Sequence, residues 1–178
     1  MEKIPTDTFA ELIEELRGLG YNIQNAVDLE LLNGRYQKSA LSVILRYIPL
    51  IDDRRKKDAL ISLVALPGFV EATPILLDEY KKNTDSNILW VIGNTLLIIG
   101  DKTIALELID LLEHKKNIDH PADWPDVPKT PELIAKEMLL WALGKTRDPR
   151  ALPTLKKYLR EGPSETFALE GIKYFDDH

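Results

Sequence analysis

An all-α chain of helix pairs that recur along its length is what this sequence predicts. Three observations carry that reading. Apolar residues return at spacings of three and four nearly everywhere, as helices with one buried face require. No segment shows sustained period-2 alternation with β-branched enrichment, the pattern of a half-buried strand. A small residue followed by small or apolar residues at its fourth and fifth positions also recurs, as Ala40–Ile44, Ala72–Leu76, Ala105–Ile109 and Ala151–Leu155. The offsets are 32, 33 and 46 residues, the last being one ordinary period plus 13 inserted residues.

The elements follow in order. Phe9, Leu12, Ile13 and Leu16 form one stripe over 7–18, opened by the capping candidates Thr6 and Asp7 and closed by Gly18 and Gly20. A short helix near 27–32 stops at Asn33-Gly34. The pattern then predicts helices over 37–50, 53–66, 69–82, 85–99, 102–115, 131–145, 149–161 and 164–175. Pro67-Gly68, Gly100-Asp101 and Gly144 read as helix stops, and Asp148-Pro149 as an N-cap followed by the first helical residue. Asp52-Asp53 and Asp176-Asp177 read as helix caps or ends. In each recurring segment the first and fifth positions lie on one helix face. Ala72, Ile75, Leu76, Ala105, Leu108, Ile109, Ala151 and Leu155 are therefore expected to be largely buried.

The stretch Trp141-Ala-Leu-Gly-Lys-Thr-Arg-Asp-Pro-Arg-Ala-Leu-Pro-Thr-Leu155 resembles a HEAT-like repeat of the bacterial kind also seen in phycobilisome lyases. Ala59–Tyr80 and Ile88–Leu112 fit the same scheme less strictly, and Phe167–Asp177 resembles the first helix of a further unit. The resemblance implies a right-handed α-α superhelix, a solenoid of nine or ten helices without a sheet. It implies a single domain over 1–178, with 1–35 as an N-terminal cap region and the repeats over 36–177. It also implies a non-catalytic interaction module or scaffold that binds a protein or peptide through the solenoid surface. The alternative it leaves open is a HEAT-like enzyme, either a lyase-like ligand handler or a DNA-repair glycosylase.

Composition narrows the function. The chain has 178 residues, 44% hydrophobic and 29% charged, which excludes bulk disorder. It has no cysteine, hence no disulfide, no thiolate metal site and no Cys nucleophile. Its net charge of −6 disfavours general binding to nucleic acid or anionic lipid. The most apolar run, Ile88–Ile99, has twelve residues, too few for a bilayer, which needs roughly 20. The N-terminus shows no basic segment followed by an apolar one, so a cytoplasmic protein is expected.

Catalytic constellations are missing, and no cofactor, metal or catalytic residue is expected. His120 with Asp119 and Asp123 has no established metal-ligand spacing, and His114 and His178 stand apart. The HEAT-like deoxyhypusine hydroxylases hold iron with His-Glu pairs, and no His here precedes a Glu. A repair enzyme would need a cationic groove for phosphates. The candidates are Arg54-Arg55-Lys56-Lys57 together with Lys156, Lys157 and Arg160. In the apolar helix over 85–99, Asn94 is expected to be buried and hydrogen-bonded to a backbone group, or else to reach a groove with Trp90 and Gly93. Gly93 itself implies close helix packing.

The partner-binding candidates are Trp124, Asp123, Asp126, Glu107 and Asp110. The first three lie in the insertion, 117–130, where Pro121, Pro125 and Pro128 exclude a helix interior and stiffen the chain. Long irregular segments in compact domains are often functional, and Trp is enriched at binding hot spots. A Trp that folds back as a plug between helices is the competing role. Glu107 and Asp110 belong to the second helices of the pairs, which line the inner surface in HEAT-like folds. Along those helices an acidic middle is expected between more basic ends, Arg46 on one side and Lys156, Lys157 and Arg160 on the other.

Overall fold

The computed structural model describes residues 7–24, 28–29, 38–115, 117–119, 130–160 and 164–176. All its extended regular elements are helical, and among the described residues no strand is found beyond one isolated bridge between Asp85 and Asp119. Contacts divide the chain into two compact units, Met1–Leu66 and Pro67–His178.

In the first unit, α1 (Thr8–Gly18) starts where the Asp7 carboxylate accepts the N–H of Phe9, at 3.0 Å. Its stripe of Phe9, Leu12, Ile13 and Leu16 is buried. It ends as expected at the glycines. Gly20 takes a left-handed φ of 92°, and the N–H of Tyr21 returns to the Leu16 carbonyl. Of the helix expected near 27–32, only residues 28 and 29 are described, and they are helical. α2 (Lys38–Tyr47) packs on α1 and gives way to a 3-10 turn at Ile48–Leu50. One helix was expected over 37–50. Pro49 breaks it, because proline supplies no N–H and its ring clashes with the preceding turn. α3 (Arg54–Leu63) is capped by Asp53, which accepts the N–H of Lys56 at 2.9 Å. It stops three residues short of the expected 66, ahead of Pro67, which disfavours helical backbone at the residue before it.

The second unit begins with a 3-10 turn, Val70–Ala72, and α4 (Thr73–Lys82). α5 (Ser86–Ile99) is capped by Asp85 and closed by Gly100 in the left-handed conformation, φ 67°. α6 (Ala105–His114) starts later than the expected 102. The Asp101 carboxylate accepts both the N–H and the hydroxyl of Thr103, and this turn holds 101–103 out of the helix. α7 (Pro131–Lys145) is opened by Thr130 with Pro131 as its first residue. α8 (Ala151–Arg160) starts two residues after the expected position, because Asp148 binds the Arg150 N–H in a turn instead of capping a helix at Pro149. α9 (Glu165–Asp176) completes the chain's described part.

Within this unit α7 packs between α5 and α9, while α6 and α8 contact each other and flank α7. Three side chains tie each helix to the previous one of its own row. Lys145 donates to the Leu97 carbonyl of α5 at 2.8 Å. Lys115 donates to the Lys81 and Asn83 carbonyls at the end of α4, at 2.8 and 2.6 Å. The Tyr158 hydroxyl donates to the Leu112 carbonyl of α6 at 2.8 Å. Each bond fills an acceptor that a helix C-terminus leaves open.

Glycines set the α5–α7–α9 spacing. A Cβ on Gly93 would lie 2.8 Å from Met138 Cβ, so close packing explains it, as expected. Gly144 does not close a helix. It lies within α7, buried, and its missing Cβ leaves room for the backbone of Gly171. The helix ends one residue later, at Lys145, and Arg147, not a glycine, takes the left-handed φ of 57°.

Six of the eight expected core residues are fully buried: Ala72, Leu76, Ala105, Leu108, Ala151 and Leu155. Ile75 and Ile109 are half-buried, at the edges of their helix stripes.

Candidate functional site: exposed faces of α4, α6 and α8

The insertion is tethered at both described ends. The Asp119 N–H donates to the Thr84 carbonyl at 2.7 Å, and its carbonyl accepts from the Ser86 N–H at 2.9 Å. This short bridge satisfies one of the free N–H groups at the start of α5. At the other end the Thr130 hydroxyl accepts the Leu133 N–H at 3.3 Å and opens α7. Trp124, Asp123 and Asp126 lie outside the described residues, as does His120.

Glu107 and Asp110 are both exposed on α6. They face different neighbours. Asp110 meets Nδ1 of His114 at 2.9 Å and lines an open cleft of about 500 Å³ with Lys81, Lys82, Thr84, His114 and Lys115. The Glu107 charge acts on Arg150. Sequence reasoning missed this cleft. Lys115 builds it by reaching across to α4, and burial lowers the affinity of its amine for the proton. The available signal was a lysine just past a helix end, a place where cations meet free carbonyls.

The basic residues are distributed differently from the expected groove. In the first unit Lys56 sits 4.6 Å from the centroid of the Phe9 ring and 3.9 Å from Asp7, while Arg54 and Lys57 also have partners. Arg46 is held by Glu15 at 2.8 Å, and that contact pulls the Glu15 carboxyl below its ordinary value. In the second unit Lys156, Lys157 and Arg160 line an open groove of about 580 Å³ with Pro149, Leu152 and Pro153. Neighbouring Arg150 is taken up by Asp148, with contacts of 2.5–3.1 Å. The Arg150 guanidinium lowers the Asp148 carboxyl to about 2. Within this unit the charge thus changes from acidic on α6 to basic on α8.

Asn94 is half-buried, not buried, and no hydrogen bond to its side chain is found among the described residues. The buried polar residue there is its neighbour Thr95. Among the described residues no group of three or more His, Asp or Glu is arranged to hold a metal. No helix among them is long and apolar enough to cross a membrane.

Residues 135–161 match the family model described as PBS lyase HEAT-like repeat. The match spans most of α7 and all of α8, and contains the Trp141–Leu155 stretch that carried the resemblance. The chain therefore carries a HEAT-like repeat there. No curated protein and no solved structure matches the chain.

Proposed function

We propose that this chain is a non-catalytic interaction module of the cytoplasm. In this reading its helix pairs form a right-handed α-α superhelix that binds a protein or peptide through the faces of α4, α6 and α8 and through the 117–130 insertion. The observation that carries the reading is the nature of these faces. Their clefts are open grooves, and several of the charged groups on or beside them are bound to near neighbours in sequence, such as Lys82 with Asp78 and Arg150 with Asp148. A hydrolytic or transfer site needs a nucleophile, a base and an oxyanion donor converging on one point. HEAT-like repeats generally mediate protein interactions, and that supports the same reading.

Trp124 is the proposed anchor of the insertion. Both described ends of the segment are fixed at helix starts, and its three prolines lower the entropy it would lose on binding. Affinity capture from the native host identifies the partner, and a titration with Trp124→Ala then tests the role. The expected outcome is stability within about 0.5 kcal/mol of the parent and binding weaker by at least roughly 2 kcal/mol. A loss of several kcal/mol in a denaturant melt would make Trp124 a structural plug.

A further inference from the structure

We propose that the exposed face of α8 is a docking site for a short extended acidic peptide segment carrying an apolar side chain on the same face as its carboxylates. The inference rests on reading the chain as an interaction module and adds the chemistry of the partner.

The charge accounting is the first argument. The chain carries −6 overall, yet Lys156, Lys157 and Arg160 stand together on one groove. Among the described residues, most other cations have partners, including backbone carbonyls for Lys115 and Lys145. Arg17 is bound to Glu14, Arg46 to Glu15, Lys82 to Asp78, Lys136 to Glu132, Arg150 to Asp148 and Lys173 to Glu170. Among the described residues, no acidic side chain is paired with Lys156, Lys157 or Arg160; Lys157 lies only over the ring of its neighbour Tyr158, at 6.0 Å. The end of a helix favours some cation there. It does not account for a groove whose charged lining is all of one sign.

The floor is the second argument. Pro149, Leu152 and Pro153 give the groove an apolar base beside the cations, one turn nearer the start of α8. Pro149 just ahead of the helix and Pro153 in its first turn also hold that base rigid. Lys156 and Arg160 are an i, i+4 pair, about 6 Å apart on the helix surface. That interval is matched by alternate residues of an extended peptide, roughly 7 Å apart and on one face of it, so two carboxylates can engage Lys156 and Arg160 while an apolar side chain at the next position on the same face meets Leu152. A polyphosphate backbone fits less well, because three cations give it little purchase and it has nothing to bury on the apolar base.

The experiment uses the full chain and fluorescence anisotropy with a labelled peptide of repeating Leu-Ser-Glu-Ser-Glu-Ser, which puts Leu and Glu on one face when extended. Its counterpart with Gln for Glu and a single-stranded oligonucleotide of equal charge are the comparison probes. The acidic peptide is expected to bind at low salt and to be released as ionic strength approaches 1 M, where the screening length is ~3 Å. Lys156→Glu/Lys157→Glu/Arg160→Glu should weaken it at least roughly tenfold. Lys38→Glu/Arg55→Glu/Lys102→Glu, with the same net charge and all exposed away from these clefts, should leave it within about twofold. The three Gln substitutions on α8 serve if the reversal variant does not fold.

Equal binding to the parent and the α8 variants would overturn the proposal, as would tighter binding of the oligonucleotide or of the Gln-for-Glu peptide. Concentration-dependent self-association of the parent that the α8 variants abolish, without peptide binding, would make a second copy the occupant and also overturn it. If a captured host partner needs Trp124 but is indifferent to the α8 variants, this site fails and the module reading stands. If the peptide docks on α8 but no protein partner exists, the module reading fails.

Discussion

Replacing Gly144 by alanine tests the packing of α7 on α9 directly. The added Cβ would lie 2.2 Å from the Gly171 carbonyl oxygen, 2.3 Å from its Cα and 2.5 Å from its carbonyl carbon. All three are backbone atoms, so no rotamer change relieves the clash, and the helices must separate by roughly 1 Å to regain ordinary contact distances. Overpacking of this kind costs about 1–3 kcal/mol, and a rigid backbone neighbour places it near the top of that range. Alanine returns about 1 kcal/mol of helix propensity. The expected net loss is about 2 kcal/mol, or roughly 4–8 °C in thermal midpoint for a chain of this size. Gly171→Ala should cost less, because one of its two closest contacts at 2.9 Å is a movable Leu155 methyl. Gly18→Ala is the control: nothing lies within 4 Å of its Cβ, so stability should stay level or rise. Urea melts followed by circular dichroism would measure all three. An unchanged Gly144→Ala midpoint, or equal damage from Gly18→Ala, would refute the close approach.

Three further substitutions probe other levels of the structure. Leu108, fully buried, should cost about 2–5 kcal/mol as alanine through lost burial and the cavity left behind; a thermal midpoint equal to the parent's would show that the repeat register is wrong. Asp85→Ala frees the N–H groups of Asn87 and Ile88 and should cost about 0.5–2 kcal/mol, seen as faster amide exchange in the first turn of α5 and absent from α7. The Asp148 carboxyl titrates at about 2 against an ordinary 3.8. Its folded value is the lower one, so what it adds to stability is complete above about pH 4 and disappears as pH falls toward 2. Arg150→Gln should raise the Asp148 midpoint toward 3.8 in an NMR titration, and an unmoved midpoint would remove Arg150 as the cause.

Local signals were read well where they had no competitor. α1 has one cap, one stripe and a terminal glycine, and all three point to the same helix. The boundaries slipped at Pro49, Asp101 and Pro149, where a ring or a short side chain redirects the backbone within a single turn. Such competition is local too, but its outcome depends on a balance of about 1 kcal/mol, which a periodicity count does not weigh. Gly144 failed for a different reason. A glycine near the end of a helical stripe reads equally as a stop or as a packing notch, and its partner, Gly171, is far along the chain. Gly93 was read correctly because it stands mid-helix, where a stop is not an option.

The same distinction separates the legible part of the site from the rest. Helical phase places Glu107 and Asp110 on the outer face of α6, and both are exposed. Phase is silent on which exposed groups meet. The partners of Asp110 include a near neighbour, His114, and a cleft wall from α4 that arrives only because Lys115 bonds to carbonyls more than thirty residues earlier. Periodicity finds the helices and not the side chains that reach between them: Lys115 meets the end of α4 from just past its own helix, and Tyr158 meets the end of α6 from within its own. Tyr158 adds no cation of its own, and the basic character of the α8 face comes from Lys156, Lys157 and Arg160.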